Sequence, residues 1–315
     1  MRKRAYLAVS GVVLPPGVVS IELAPGIFAA ADWPDGKPPL MRGVREIWGS
    51  DRLTPFDSPN LVVWTERNVE DTVTGRVDLE LDSILESCDH ALMLSTGFGQ
   101  AHRFTAKELW NGDERSPGGT AVPETSWAAR GFRRMPVVDA KRWAAVTTRL
   151  MEVVAPGWQR HEFIVRGLVA FFRACREDWV EVRHELFCRS VETVLQTEPG
   201  QGATQFVEGI LSEQRRFDRT KRQLVIETWR QLYERRNDVV HGHRFFEEKQ
   251  DGRAAMLMEE GARRFFCRLL TDASFFEHTV ALASERSRGK RDEHAARTER
   301  AAARRRQRWA ARRRQ

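Results

Sequence analysis

From Pro156 to about residue 283 the apolar residues recur every three or four positions, the period of helices that bury one stripe and expose the rest. Ile164, Leu168, Phe171, Phe172 and Cys175 form one stripe, and Trp179, Val182, Leu186, Val191 and Val194 a second. Val225, Trp229, Leu232, Tyr233 and Val240 form a third, and Met258, Ala262, Phe265, Phe266 and Leu269 a fourth. Four stripes suffice for a bundle in which each covers the others, and bundles commonly hold their sites between facing helices.

The third stripe carries a charge. Arg236 sits in its middle, and arginine is rarely buried without a partner, so a buried acid, a subunit contact or an anionic ligand is expected beside it. Gly242 then ends the helix in the left-handed conformation, which puts His241 in the last turn. The negative end of the helix dipole favours an imidazolium there, and Asn237, one turn earlier on the same side, is placed to orient the ring. His243, Glu247 and Glu248 follow closely. Two histidines two residues apart lack the i,i+4 geometry of a metal-binding helical pair and no thiol lies near, so no metal site and no cofactor are expected.

The first 150 residues lack the helical period. Gly11 to Leu23, rich in valine around Pro15-Pro16-Gly17, predicts two short strands about a turn, followed by a Pro- and Gly-rich loop. Leu61–Thr65 and Arg76–Leu81 alternate about Thr74-Gly75 and predict a hairpin. Asp82 to Leu94 fits a helix or a strand, 111–126 is expected to be a loop, and Lys141 to Val154 is helical. Trp33, Trp48, Trp64, Trp110, Trp127, Trp143 and, at the boundary, Trp158 are expected to anchor core and loops. Gly97-Phe98-Gly99 has neither the lysine nor the glycine spacing of a phosphate loop.

The fold class is therefore α+β: a β-rich N-terminal domain over 1–150, a helical bundle over 151–283, and a basic tail over 284–315. A chain of 315 residues is long enough for two such cores. The net charge of +7 belongs to the tail: residues 284–315 hold 13 Lys/Arg against 4 Asp/Glu, while 1–283 hold 38 against 40. Cys88, Cys175, Cys188 and Cys267 stand far apart with no C-x-x-C pair, as expected of thiols in a reducing, cytoplasmic compartment. The basic Met1-Arg2-Lys3-Arg4 start imitates a signal peptide, but Pro15-Pro16, Glu22 and Pro25 break the apolar run after it. No stretch approaches the ~20 apolar residues of a membrane span.

Arg236-Asn237-x-x-x-His241-Gly242 after Leu232-Tyr233, closing a helical stretch, resembles the HEPN superfamily and, within it, the Apea-like branch, whose signature is Arg, four to six residues, then His. His161–Arg176 and Trp179–Leu195 are similar to the first two helices of that domain, and Ser190-Val191-Glu192-Thr193-Val194-Leu195 to its Leu-Glu-x-Leu-Leu segment. The resemblance covers about 155–283. It implies a HEPN-like bundle, catalytic roles for Arg236, Asn237 and His241, and a homodimer. It also implies a supporting role for Glu192 as the acid that holds Arg236 or His241. By residue pattern alone, Glu185 and Glu192 form a solvated carboxylate face, with Arg189 as an i,i+4 partner.

The chemistry open to these side chains is metal-free RNA cleavage. A histidine titrating near neutrality can take the 2′-hydroxyl proton or give one to the leaving 5′-oxygen, while an arginine fork stabilises the charge that develops on phosphate. The resemblance implies the same activity, in a toxin or antiviral-defence setting, with the N-terminal half sensing a ligand or protein. The alternative is a non-catalytic HEPN module that binds a partner, a nucleotide or RNA. In the tail, Arg304, Arg305, Arg306, Arg308, Arg312, Arg313 and Arg314 can neutralise RNA phosphates while Trp309 stacks on a base. A solubilising end, disordered or a lone helix, is the other reading of that composition.

Overall fold

The computed structural model describes residues 1–36, 38–39, 59–69, 74–96, 102–119, 124–125, 137–154, 161–177, 179–198, 200–211, 219–243 and 247–312, without the side chains of 74–75, 102–104, 118–119, 124–125, 154, 219–221, 248–250, 291–297 and 302–312. Its first element, β1 (Arg2–Ser10), is buried almost throughout because it lies mid-sheet between two paired neighbours. β4 (Leu61–Asn68) and β5 (His102–Asn111) flank it, and β2 (Ser20–Ala24), β3 (Ile27–Ala30) and β6 (Glu114–Gly119) complete an antiparallel path in the order β2-β3-β4-β1-β5-β6. The two-residue β7 (Glu124–Thr125) also pairs with β5.

Three sequence expectations give way here. The hairpin over 61–81 does not form: β4 pairs with β1 and β3, and Thr74–Thr96 is a helix, α1. Val77, Leu79 and Leu81 alternate like a strand, but Leu79 is 73% exposed, and burial follows Leu81, Leu85, Cys88 and Leu92 at helical spacing. The loop expected over 111–126 contains β6, a path-end strand that tolerates Pro117 opposite a bulge at Lys107/Glu108, and β7 beyond it. In Gly11–Leu23 the turn at Pro15–Val18 and β2 are present, but the first strand lies earlier, at β1, and β3 occupies part of the loop expected next.

One face of the sheet packs on α1 and α2 (Ala140–Val154). Charges tie α1 down: Lys3 of β1 pairs with Asp78, and Lys107 of β5 with Asp82 at 2.7 Å. Trp143 of α2, fully buried, donates its indole N–H to Cys88 O of α1 at 3.0 Å. Six helices follow: α3 (Glu162–Arg176), α4 (Val180–Leu195), α5 (Gly202–Leu211), α6 (Arg219–Val240), α7 (Glu248–Thr271) and α8 (Ala273–Arg312). A single apolar cluster runs from Ala5 in the sheet through α1 and α2 to Phe276 in α8. The C-terminal carbonyl of α1 at Leu94 accepts from Arg263 Nη1 at 3.1 Å and Cys267 Sγ at 2.8 Å, both on α7, so an otherwise unpaired helix end is satisfied by the bundle.

Within the bundle Phe171 meets Phe172, Phe187 and Phe266 at centroid distances of 5.4–5.5 Å. The stripes of α3 and α7 are buried as expected, apart from half-buried Cys175. That of α4 is not in the expected phase: Trp179 is 66% exposed, Val182 and Leu186 are half-buried, and His184, Phe187 and Cys188 take the inner face beside Val191 and Val194. The helix has apolar residues on several sides, and the bulk of Phe187 against Phe171 selects which faces inward. Gly167 lets α3 and α4 approach, since a Cβ there would meet the side chain of Val194 and stand 2.8 Å from Ser190 O. Gly167→Ala is accordingly expected to destabilise the fold by about 1–3 kcal/mol, as overpacking does, in urea unfolding followed by circular dichroism. An unchanged midpoint would contradict this contact.

Residues 284–312 do not start a separate element. α8 is continuous from Ala273 to Arg312, and its packing extends to Arg286, which donates to Leu195 O at 2.9 Å, and Ser287, bonded to Gln196 at 3.2 Å.

Candidate functional site

Three of the four site residues predicted for the bundle gather where α6 crosses α4. Leu232 and Tyr233 are buried, Arg236 is half-buried, and Val240 is 43% exposed, so the α6 stripe emerges from its own bundle at the C-terminal end. The acid expected beside Arg236 is Glu192: its carboxylate lies 3.6 Å from Arg236 Nη2 and accepts the Tyr233 hydroxyl on its other oxygen. Asn237 Oδ1 accepts from Arg236 Nη1 at 2.8 Å, so Asn237 orients the arginine, whereas the sequence pointed it toward His241. The guanidinium carbon stands 5.8 Å from the Tyr233 ring centroid. Burial, with the charge and hydrogen bond of Glu192, pushes the Tyr233 phenol well above its usual range and keeps it a donor. Gly202, opening α5, leaves room for that hydroxyl, which a Cβ would strike.

His241 is elsewhere. It is exposed at the helix end, its ring centroid 5.9 Å from that of His243. The helix stop is as expected: Gly242 has φ +70°, His243 N donates to Asp238 O at 2.8 Å, and Gly242 N to Val239 O at 3.1 Å, a Schellman closure. Five residues of helix turn His241 about 140° from Arg236. One chain thus assembles Arg236, Asn237, Glu192 and Tyr233, and leaves His241 apart from them. The tail arginines and Trp309 fall on the last turns of α8 or beyond it, outside the described side chains, as do Trp48, Trp127, Trp158 and Gly97-Phe98-Gly99.

Two residues of this crossing escaped the sequence reading. His184 is 4% exposed on α4, and its Nε2 has no partner among the described residues. Burial, then the charge of Arg236 and, more weakly, of Arg235, depress its pKa to about 4, against a smaller opposing pull from Asp251, so the imidazole is neutral. Asp251 of α7, 1% exposed, binds Arg235 Nε and accepts Glu247 N at 2.6 Å, which ties α7 to α6. His184, Cys188 and Glu192 recur at i, i+4 and i+8 on α4, a polar thread at helical spacing that could have singled out this face. Among the described residues no group of three or more potential metal ligands gathers, and no helix is long and apolar enough to cross a membrane. No family model, curated protein or solved structure matches the chain.

Proposed function

We propose that the chain is a metal-independent endoribonuclease of HEPN type whose active unit is a homodimer. The observation that carries this reading is the uncovered end of the α6 stripe: Arg236, held by Glu192 and Asn237, leads to exposed Val240 and His241 with no covering element of its own chain among the contacts described. A second copy packed there, related by a two-fold axis, would bring two arginines and two histidines to one cleft. Neutral His241 of one chain takes the 2′-hydroxyl proton, the 2′-oxygen bonds to phosphorus, and the P–O5′ bond breaks. The partner's imidazolium protonates the departing 5′-oxygen, leaving a 2′,3′-cyclic phosphate and a 5′-hydroxyl. The arginines bind the phosphoryl oxygens as charge builds on them.

A labelled RNA incubated with the protein in EDTA should yield cyclic-phosphate ends, and the same strand with a 2′-deoxynucleotide at the cleaved position should survive. An intact RNA under both conditions would defeat the ribonuclease reading. One feature favours a second reading, a non-catalytic interaction or RNA-binding module: Arg236 already has an acid of its own chain beside it, which is sufficient to account for a half-buried arginine.

The tail serves either reading as an electrostatic arm. Because Arg286 and Ser287 hold the end of α4, the informative truncation starts at Arg288 and not at Ser284. Its removal is expected to weaken RNA binding and flatten the dependence of log K on log salt, since fewer counterions are released. An unchanged salt slope would leave the tail no role in binding.

A further inference from the structure

The sheet face turned away from α1 and α2 carries a ladder built from five adjacent strands. Phe28 of β3 stacks on Trp64 of β4 with centroids 4.8 Å apart. The Arg4 guanidinium of β1 stands 5.1 Å from the Trp64 ring and 4.8 Å from Trp110 of β5, and that of Arg115 on β6 stands 5.1 Å from Trp110. Carboxylates hold both arginines in place: Arg4 binds Glu66 and Asp35 at 3.0 Å each, and Arg115 binds fully buried Glu108 at 2.5 Å. Glu108 also accepts the Tyr6 hydroxyl at 2.8 Å.

Beside this ladder lies a cavity of about 240 Å³ walled by Arg4, Tyr6, Trp110 and Arg115 and rimmed by Asp35 and Asp113. Three observations distinguish it from plain packing. Its wall is built by side chains of three neighbouring strands, β1, β5 and β6. Trp110 Nε1 and Arg115 Nε in its wall are buried donors without an acceptor among the described residues. Asp35 at its rim has φ +61°, a conformation that non-glycine residues adopt at a cost.

We propose that this cavity binds a single nucleobase, stacked on the arginine–tryptophan wall, with the Asp35 and Asp113 carboxylates accepting from its ring N–H or amino groups. The volume is below the ~300–1,000 Å³ of sites for drug-sized ligands and suits one planar ring system. Flat guanidinium and indole groups are the surfaces on which splayed-out bases stack. The arginine charges are compensated by Glu66, Asp35 and Glu108, so the site favours a neutral ring over a phosphate. The base can come from a free nucleoside or from single-stranded RNA. The site stands independently of the ribonuclease reading.

The test is calorimetric titration of the full chain carrying Arg236→Ala, so that cleavage does not intrude, with each of the four ribonucleosides, a single-stranded oligoribonucleotide and inorganic phosphate. At least one nucleoside or the oligonucleotide should bind saturably, about tenfold more weakly in Trp110→Leu. Asp113→Asn, a change at an exposed position, should weaken binding too. Equal affinity for nucleoside and oligonucleotide assigns the base to a free nucleoside, and tighter binding of the oligonucleotide assigns it to RNA. The proposal is overturned if nothing but phosphate binds, if phosphate displaces the nucleoside, or if both variants bind as the parent does.

Discussion

Arg236→Ala and His241→Ala are each expected to lower RNA cleavage by about 10²–10⁴-fold, the range for losing a charge-stabilising donor or a general acid–base group. Neither should unfold the protein. His241 is exposed, and removing Arg236 leaves Glu192 hydrogen-bonded to Tyr233 at a crossing already filled by Leu232, Tyr233 and Cys188. The composite site adds a sharper expectation. Since Arg236 and His241 point about 140° apart on one helix and cleavage uses one chain's histidine as base and its partner's as acid, an excess of His241→Ala chains should lower the activity of parent chains by more than dilution does, because each mixed dimer holds a single histidine. Initial rates on labelled RNA in EDTA, read beside sedimentation of the same samples, check both statements. Full activity in a monomer, or parent activity undiminished by an excess of His241→Ala chains shown to exchange, would dismiss the two-chain cleft; loss of secondary structure in Arg236→Ala would assign that arginine a structural role.

Lowering the pH from 6.5 to 4 is expected to cost the fold about 3 kcal/mol through His184 alone. The imidazole is buried with Arg236 and Arg235 nearby, and its folded pKa of about 4 lies below the ordinary 6.5. Between those values the unfolded chain binds a proton at this residue and the folded chain does not, so stability rises with pH across the window and is lost as pH falls through it. Asp251 opposes the shift but does not cancel it. His184→Gln keeps a neutral polar side chain without the titration. Urea unfolding at intervals from pH 7 to pH 4 should show a shallower pH dependence for the variant by roughly that amount. Identical slopes would mean that His184 is protonated in the folded chain or is solvated there.

The sequence by itself was sufficient for features that depend on one segment. The stripes of α3 and α7 follow from helical period, and the end of α6 at Gly242 from the left-handed conformation that glycine adopts freely. That Arg236 must have company followed from the cost of burying a charge; Glu192 as its partner was implied only by a family resemblance, and its position beside Arg236 comes from the crossing of α4 and α6. Tertiary structure decided whatever depends on which distant segments meet. Val77, Leu79 and Leu81 alternate as a strand does, and Asp82 to Leu94 fits either pattern, but the segment became the helix whose longer stripe covers the sheet. Glu114–Gly119 became a strand because β5 offered it an edge, despite Pro117. The same holds for the two sites. His184 is a surface-type residue until Phe187 sets the phase of α4, and Trp64, Arg4 and Trp110 are 60 and 106 positions apart until the sheet order places their strands side by side. Local chirality and period are properties of a few consecutive residues, whereas strand pairing and helix phase are set by burial summed over contacts that the chain makes only once folded.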